Sequence, residues 1–321
     1  MTTTHYARAL SISMISVAAA LLATPSAGAD TTLATGLPST VKVSMRGDSI
    51  AWSAPAGGSR WKLVIARHGV PADAAVRTAP VPFDVDLGDD GHGHLIATYS
   101  RCSRPPSGLE RPRGCDVYRY DVTARRERRV SGLGVGSASD YLPSAASGRI
   151  AFARSVAGGP ARLYVRSLTG GPLHRLHGGL SNTDDRTGPR SLDLGRRGLA
   201  IAWVLRGPAK SGRDSFDYGA QEVRFDPLHG ATRLLARYAQ GNLAGTEVVG
   251  VTASDTGVLW GAQGNGENQT TMLYLIPQLM QSSDSRALTF PIASVSGTSL
   301  ERAVVLTQDG SVVLLEPGGS S

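Results

Sequence analysis

Apolar and polar residues alternate with a period of two along most of the chain, in short bursts broken by Gly, Pro, Asp or Ser. "GRIAFAR", residues 148–154, is the clearest burst. Residues two apart share one face of a strand, so the pattern predicts β-strands joined by tight turns. No stretch carries a convincing stripe at helical spacing; "TSLERAVVL" comes closest, and its register fits a strand instead.

The burst recurs. "GDSIAWSA", "GHLIATYS", "GLAIAWVL", "TGVLWGAQ" and "ERAVVLTQ" align with it and place register positions at Ile50, Ile96, Ile150, Ile201, Val258 and Val304. The separations are 46, 54, 51, 57 and 46 residues. A second alternating segment follows each marker, as in "KLVIAR", "DVYRYD", "RLYVRS", "QEVRFD", "MLYLIP" and "SVVLLE". A third follows in five copies, read as "AAVRTA", "ERRVSG", "LHRLHG", "TRLLAR" and "RALTFP", and a short segment with a turn precedes each marker. Each unit is thus a four-stranded meander.

Six such meanders around an axis make an all-β, six-bladed β-propeller, in which blades pack face to face. Seven blades of about 42 residues would also fill the chain, but six markers argue for six. The last unit lacks a fourth strand, while "TTLATGL" near the start has no partner. Residues 31–36 are therefore expected to complete the last blade and close the ring. Trp52, Trp203 and Trp260 align with Phe152 and read as core between blades.

"YLPSAASGRIAFARSVAGGPARLYVRSLTGGPLHRLHGG" resembles the repeat of TolB-like propellers, which runs P-x-x-S-P-D-G-x-x-I-A-F, then I-Y-V-x-D-x-x-G-G, then R-x-L-T. The third unit matches well, the second and fourth fairly, and the others weakly. The Asp of the S-P-D-G turn is absent from "SAASG", so the resemblance concerns blade geometry and carries no catalytic residues with it.

Residues 1–29 read as a secretory signal peptide: Arg8, a thirteen-residue apolar run too short for a membrane span, and Ala27-Gly28-Ala29 ahead of Asp30. Residues 30–321 are then one propeller domain, expected to be secreted or extracytoplasmic after cleavage near Ala29, with no further membrane segment. Since Arg8 is the only charge in the leader, the remaining domain keeps a net charge of +6 out of the chain's +7. Only Lys42, Lys62 and Lys210 are lysines, so arginine carries nearly all of it. Two cysteines, Cys102 and Cys115, are expected to pair across the Pro/Gly-rich "CSRPPSGLERPRGC", a loop whose closure contributes about 3 kcal/mol on the chain-entropy estimate. That spacing excludes a C-x-x-C redox pair, and two cysteines do not build a zinc site.

Propeller function lies at the axial channel or on the loop faces. Asp84 and Asp86 in "FDVDLG" and Asp193 in "SLDLG" fall on the innermost strands and are the candidate ligand-binding carboxylates. Asp86 and Asp193 occupy equivalent places, each followed by Leu-Gly. The plainer reading is a repeated turn, in which Asp accepts backbone N–H bonds and Gly supplies a positive φ. His92 and His94 in "DDGHGH" have no identifiable third ligand, so no metal or other cofactor is expected. "RGDS" at Arg46–Ser49 reads as a turn between strands, and no G-x-S-x-G elbow occurs. "NQT" at Asn268 is read as an exposed loop. "ARRERRV", Ala124 to Val130, is the densest charge cluster: either a polyanion contact or a solvated turn, with Glu127 diluting it.

No catalytic constellation emerges. The chain is read as a monomeric, non-enzymatic binding or interaction scaffold of the cell envelope, its partner an envelope protein or a polyanionic wall polymer. Nucleic acid is excluded by export and by 6% aromatic content without a stacking motif. The alternatives are a propeller hydrolase or lyase acting on a sugar or lactone through channel carboxylates, and a structural surface protein without a specific ligand.

Overall fold

The computed structural model describes residues 29–104, 113–133, 137–156, 161–176, 188–206, 218–239, 245–264, 270–277 and 282–317. Residues 1–28, which hold all but the last position of the expected signal peptide, residues 105–112 and Asn268 lie outside them.

Among the described residues there are twenty-four strands and no helix. β1 (Thr31–Ala34) comes first and belongs to the last blade. The first blade holds β2 (Val43–Arg46), β3 (Ser49–Gly57), β4 (Arg60–Arg67) and β5 (Val70–Asp73). The second holds β6 (Asp86–Asp89), β7 (Leu95–Arg104), β8 (Arg113–Asp121) and β9 (Arg126–Arg129). β10 (Ala138–Ala146), β11 (Arg149–Val156), β12 (Arg162–Ser167) and β13 (Gly170–Arg175) make the third. β14 (Gly188–Leu194), β15 (Leu199–Arg206), β16 (Tyr218–Asp226) and β17 (Arg233–Ala239) make the fourth. The fifth is β18 (Thr246–Ala253), β19 (Gly257–Gly264), β20 (Thr271–Pro277) and β21 (Asp284–Leu288). β22 (Ile292–Gly297), β23 (Ala303–Thr307) and β24 (Val312–Leu315) form the sixth, where β1 lies antiparallel to β24 with Thr31 opposite Leu314.

The apolar residues form six buried clusters, one at each blade-to-blade interface, instead of one central core. Trp52 of the first blade packs with Val304 and Leu306 of the sixth; Tyr99 of the second packs with Leu63 and Ile65 of the first. Phe152 meets Ile96 and Val117, Trp203 meets Leu163 and Ala153, Trp260 meets Val223 and Ala200, and Val305 meets Leu259. On the inner strands this replaces polar–apolar alternation with near-continuous burial, as over Leu199, Ala200, Ile201, Ala202, Trp203 and Val204 of β15. Strands packed on both faces send alternate side chains into two different interfaces, so both sets are apolar yet belong to different clusters.

The ladders correct the register of three markers. Ser44 pairs with Ala51, Asp86 with Thr98, Ser144 with Ala151, Asp193 with Ala200, Thr252 with Leu259 and Ser296 with Val304. The residue before each partner is the equivalent position: Ile50, Ala97, Ile150, Leu199, Val258 and Ala303. Ile96 and Val304 are thus one residue out and point into the opposite interface. Ile201 is two residues out and keeps its face, so Ile201, not Trp203, aligns with Trp52. Turn length sets register, and the first hairpin of the second blade spans five residues, Asp90 to His94.

The outer strand of the first blade is Val70–Asp73, not "AAVRTA". His68 and Gly69 both adopt positive φ, 49° and 78°, and so form the two-residue hairpin turn that returns the chain at once. Cys102 and Cys115 face each other across β7 and β8 and are disulfide-bonded. No helix among the described residues is long and apolar enough to cross a membrane.

Candidate functional site

The first strand of every blade lines the axis. Neighbouring first strands belong to different sheets, so their axial N–H groups have no ladder partner and need another acceptor. One side chain per blade supplies it. Ser44 Oγ accepts from Leu87 N at 2.8 Å, Ser144 Oγ from Leu194 N at 2.6 Å, Thr252 Oγ1 from Gly297 N at 3.3 Å and Ser296 Oγ from Met45 N at 2.9 Å. The Asp86 carboxylate accepts from the backbone of Ala145, and that of Asp193 from Ala253. Ser44, Asp86, Ser144, Asp193, Thr252 and Ser296 therefore form one ring, in which each blade's oxygen holds the backbone of the next.

All three predicted carboxylates border the axial cavity, which measures about 390 Å³ with its mouth included. Asp86 and Asp193 are equivalent, as the shared Asp-Leu-Gly implies. They lie within strands β6 and β14, however, and not in a turn. Their glycines serve a different purpose from the one expected. Neither Gly88 nor Gly195 has a positive φ; a Cβ on Gly88 would sit 1.7 Å from Ala145 O, and one on Gly195 2.8 Å from Ala253 O. Glycine is required there because the next blade's backbone passes too close for any side chain.

Asp84 belongs to a second tier. Its carboxylate accepts from Ser100 N at 2.5 Å, Ser100 Oγ at 2.6 Å and Leu142 N at 2.7 Å, tying the second blade to the third. In the same tier Ser294 Oγ accepts from Val43 N at 3.2 Å and Ser191 Oγ from Val251 N at 3.4 Å. Lys42 sits beside Asp84 and donates to Arg190 O of the fourth blade at 2.5 Å, across the axis.

Burial dominates the electrostatics. It pushes Asp86 up to about 6, against the nearby hydroxyls of Ser144 and Ser44 and the charge of Arg46. Asp193 is raised well above the usual carboxylate range, first by burial and then by the negative charge of Asp86. Lys42 is lowered to about 8 by burial, opposed by Asp84. Asp86 Oδ1 accepts from Ser44 Oγ at 3.0 Å, whereas Oδ2 is buried and makes no hydrogen bond.

The other predicted features are dispersed. The Nδ1 of His94 lies 2.9 Å from Asp90 Oδ2, and among the described residues no group of three or more His, Cys, Asp or Glu is placed to hold a metal ion. "RGDS" spans the β2–β3 turn as read, with Gly47 at φ 57°. Lys42 carries no distinguishing pattern in the sequence, whereas the ring does: one Ser, Thr or Asp per repeat at a single register.

No family model matches the chain, and no curated protein matches it in sequence. Among solved structures it is similar to TolB from Acinetobacter baumannii at 14% identity with a TM-score of 0.53, over 86% of this chain and 66% of that one. It is also similar to a fucose-specific lectin from Aleuria aurantia at 9% identity with a TM-score of 0.52, over 90% of this chain and 99% of that one. Likenesses at 14% identity or less speak for architecture alone, and what they establish is a β-propeller fold.

Proposed function

We propose that this chain is an extracytoplasmic, non-enzymatic binding module: a rigid six-bladed scaffold that offers its loops and outer faces to another component of the cell envelope. The observation that carries this reading is the use made of the axial carboxylates. Asp84, Asp86 and Asp193 each accept backbone N–H bonds from the following blade, and Lys42 spans the axis above them. Groups committed to holding the ring are poorly suited to moving protons on a substrate. The Cys102–Cys115 disulfide supports an oxidising compartment, as does the leader-like pattern of residues 1–29.

The test is to incubate purified protein with a panel of oligosaccharides and lactones and follow product formation. No turnover is expected. Turnover abolished by Asp86→Asn would replace this reading with the enzymatic one, which draws its own support from a single feature: Asp86 Oδ2, buried beside the axial cavity without a hydrogen bond.

A further inference from the structure

We propose that the second blade carries an anion-binding cleft, formed by Arg119, Arg126 and Arg128, that takes a phosphate-bearing ligand. The inference rests on the binding-module reading for its biological role and names the chemistry of one ligand.

β9 reads Arg-Glu-Arg-Arg, and strand alternation splits those charges between two faces. Glu127 and Arg129 lie on one. There Glu127 accepts from Tyr99 Oη at 2.5 Å and is ion-paired with Arg101, while Arg129 pairs with Asp116 at 2.6 Å. Arg126 and Arg128 lie on the other, joined by Arg119 of β8, whose ladder partner is Arg128. Glu127 therefore does not dilute the cluster, because it points away from it.

Among the described residues, the side chains of Arg119, Arg126 and Arg128 make no hydrogen bond and no ion pair, yet all three border one cavity of about 580 Å³, open solvent at its mouth included. The two acids that border it are already engaged. Asp90 accepts from His92 N at 2.8 Å and His94 N at 3.1 Å, and Asp121 Oδ1 from Thr123 N at 3.0 Å and Ala124 N at 2.7 Å. The buried Ile96 supplies an apolar wall, which strengthens electrostatic attraction at the site.

This arrangement is costly to the folded chain. Like charges directly opposite on a sheet destabilise it, and Arg119 faces Arg128, while Asp121 of the same face stands opposite Arg126. An anion in the cleft removes that repulsion. Guanidinium forks match oxyanions bidentately. A carboxylate has two oxygens and satisfies one fork, whereas a phosphate offers enough oxygens for three.

The experiment titrates the purified chain with inorganic phosphate and with tripolyphosphate, by calorimetry at low salt. Saturable binding is expected, tighter for tripolyphosphate and weakened by added salt. Arg119→Gln/Arg128→Gln is expected to weaken it at least tenfold and to raise the ligand-free Tm, with Arg126→Gln as an independent single variant and Arg129→Gln as an unaffected control. Absence of saturable binding by the wild type, equal binding by the double variant, or a lower ligand-free Tm in that variant each overturns the cleft. The two readings fail separately: loss of the cleft leaves the binding module standing, and enzymatic turnover overturns the module without altering the phosphate titration.

Discussion

Lys42 and Arg190 stand on opposite blades of the ring, 148 residues apart, and the Lys42 ammonium donates to the Arg190 carbonyl across the axis at 2.5 Å. Burial lowers the folded pKa of Lys42 to about 8 from 10.5. Between those values the unfolded chain binds the proton more strongly, so stability should rise with pH through that window and the charged form is a cost below it. Relative to Lys42→Met, which has no proton to lose, the wild type is expected to gain on the order of 2 kcal/mol between pH 7 and pH 10. Urea unfolding of both proteins at the two pH values measures this; parallel pH profiles would refute it.

Asp86 works in the opposite direction. Its folded pKa is raised to about 6 from 3.8, so the folded state binds the proton more strongly and stability falls as pH rises from about 4 to 6. Asp86→Ser copies the residue that Ser44, Ser144 and Ser296 place at the same ring position. It should exceed the wild type by roughly 2 kcal/mol at pH 7 and match it near pH 4. Asp86→Ala removes the acceptor for the Ala145 backbone and should lie below Asp86→Ser at every pH, by about 1–3 kcal/mol. Thermal unfolding at pH 4 and pH 7 separates the charge from the hydrogen bond.

Gly88→Ala should be among the most damaging small substitutions in the protein. The added methyl would fall 1.7 Å from Ala145 O, against 2.8 Å from Ala253 O for Gly195→Ala, so both need the neighbouring backbone to move and the first needs a much larger shift. A loss of about 3 kcal/mol or more is expected for Gly88→Ala and a smaller one for Gly195→Ala. The order of the two Tm values tests the claim, and its reversal would contradict the close approach.

Asp140 is fully buried and takes a two-pronged bond from Arg154, Nε to Oδ1 at 2.6 Å and Nη2 to Oδ2 at 2.7 Å, with the guanidinium 5.4 Å above the Phe152 ring. Removing one partner strands a charge in a low-dielectric site. Asp140→Leu should cost about 3–5 kcal/mol, and adding Arg154→Met should recover a substantial part of it. A double-mutant cycle by chemical denaturation gives the coupling; additive losses would show that the pair acts as two independent residues.

Much of the ring was readable from local pattern. The alternation that marks strands, the Gly-Asp turn after Arg46 and the six repeats are all set by residues a few positions apart. Register was less accessible. Ile96, Ile201 and Val304 match Ile50 in chemical type, yet the ladders place them one or two residues away, because hairpin length decides which residue faces which interface. The outer strand of the first blade is hidden from local pattern because His68, not a glycine, takes the first positive-φ position of its turn.

The candidate site divides along the same line. Asp84, Asp86 and Asp193 could be placed near the axis from the repeat alone, since inner-strand position follows from sequence order. That they hold neighbouring blades, that Lys42 meets the opposite blade, and that Glu127 turns away from Arg126 and Arg128 could not.

The chain's own sequence determines the strands, their alternation and their sixfold recurrence, because these follow from local sterics and from the burial of apolar side chains at short range. Closure of the ring alone decides which residues meet across an interface or across the axis. Those contacts join positions tens to hundreds of residues apart, and they are selected by the backbone N–H groups and buried charges that the closed ring leaves in need of a partner.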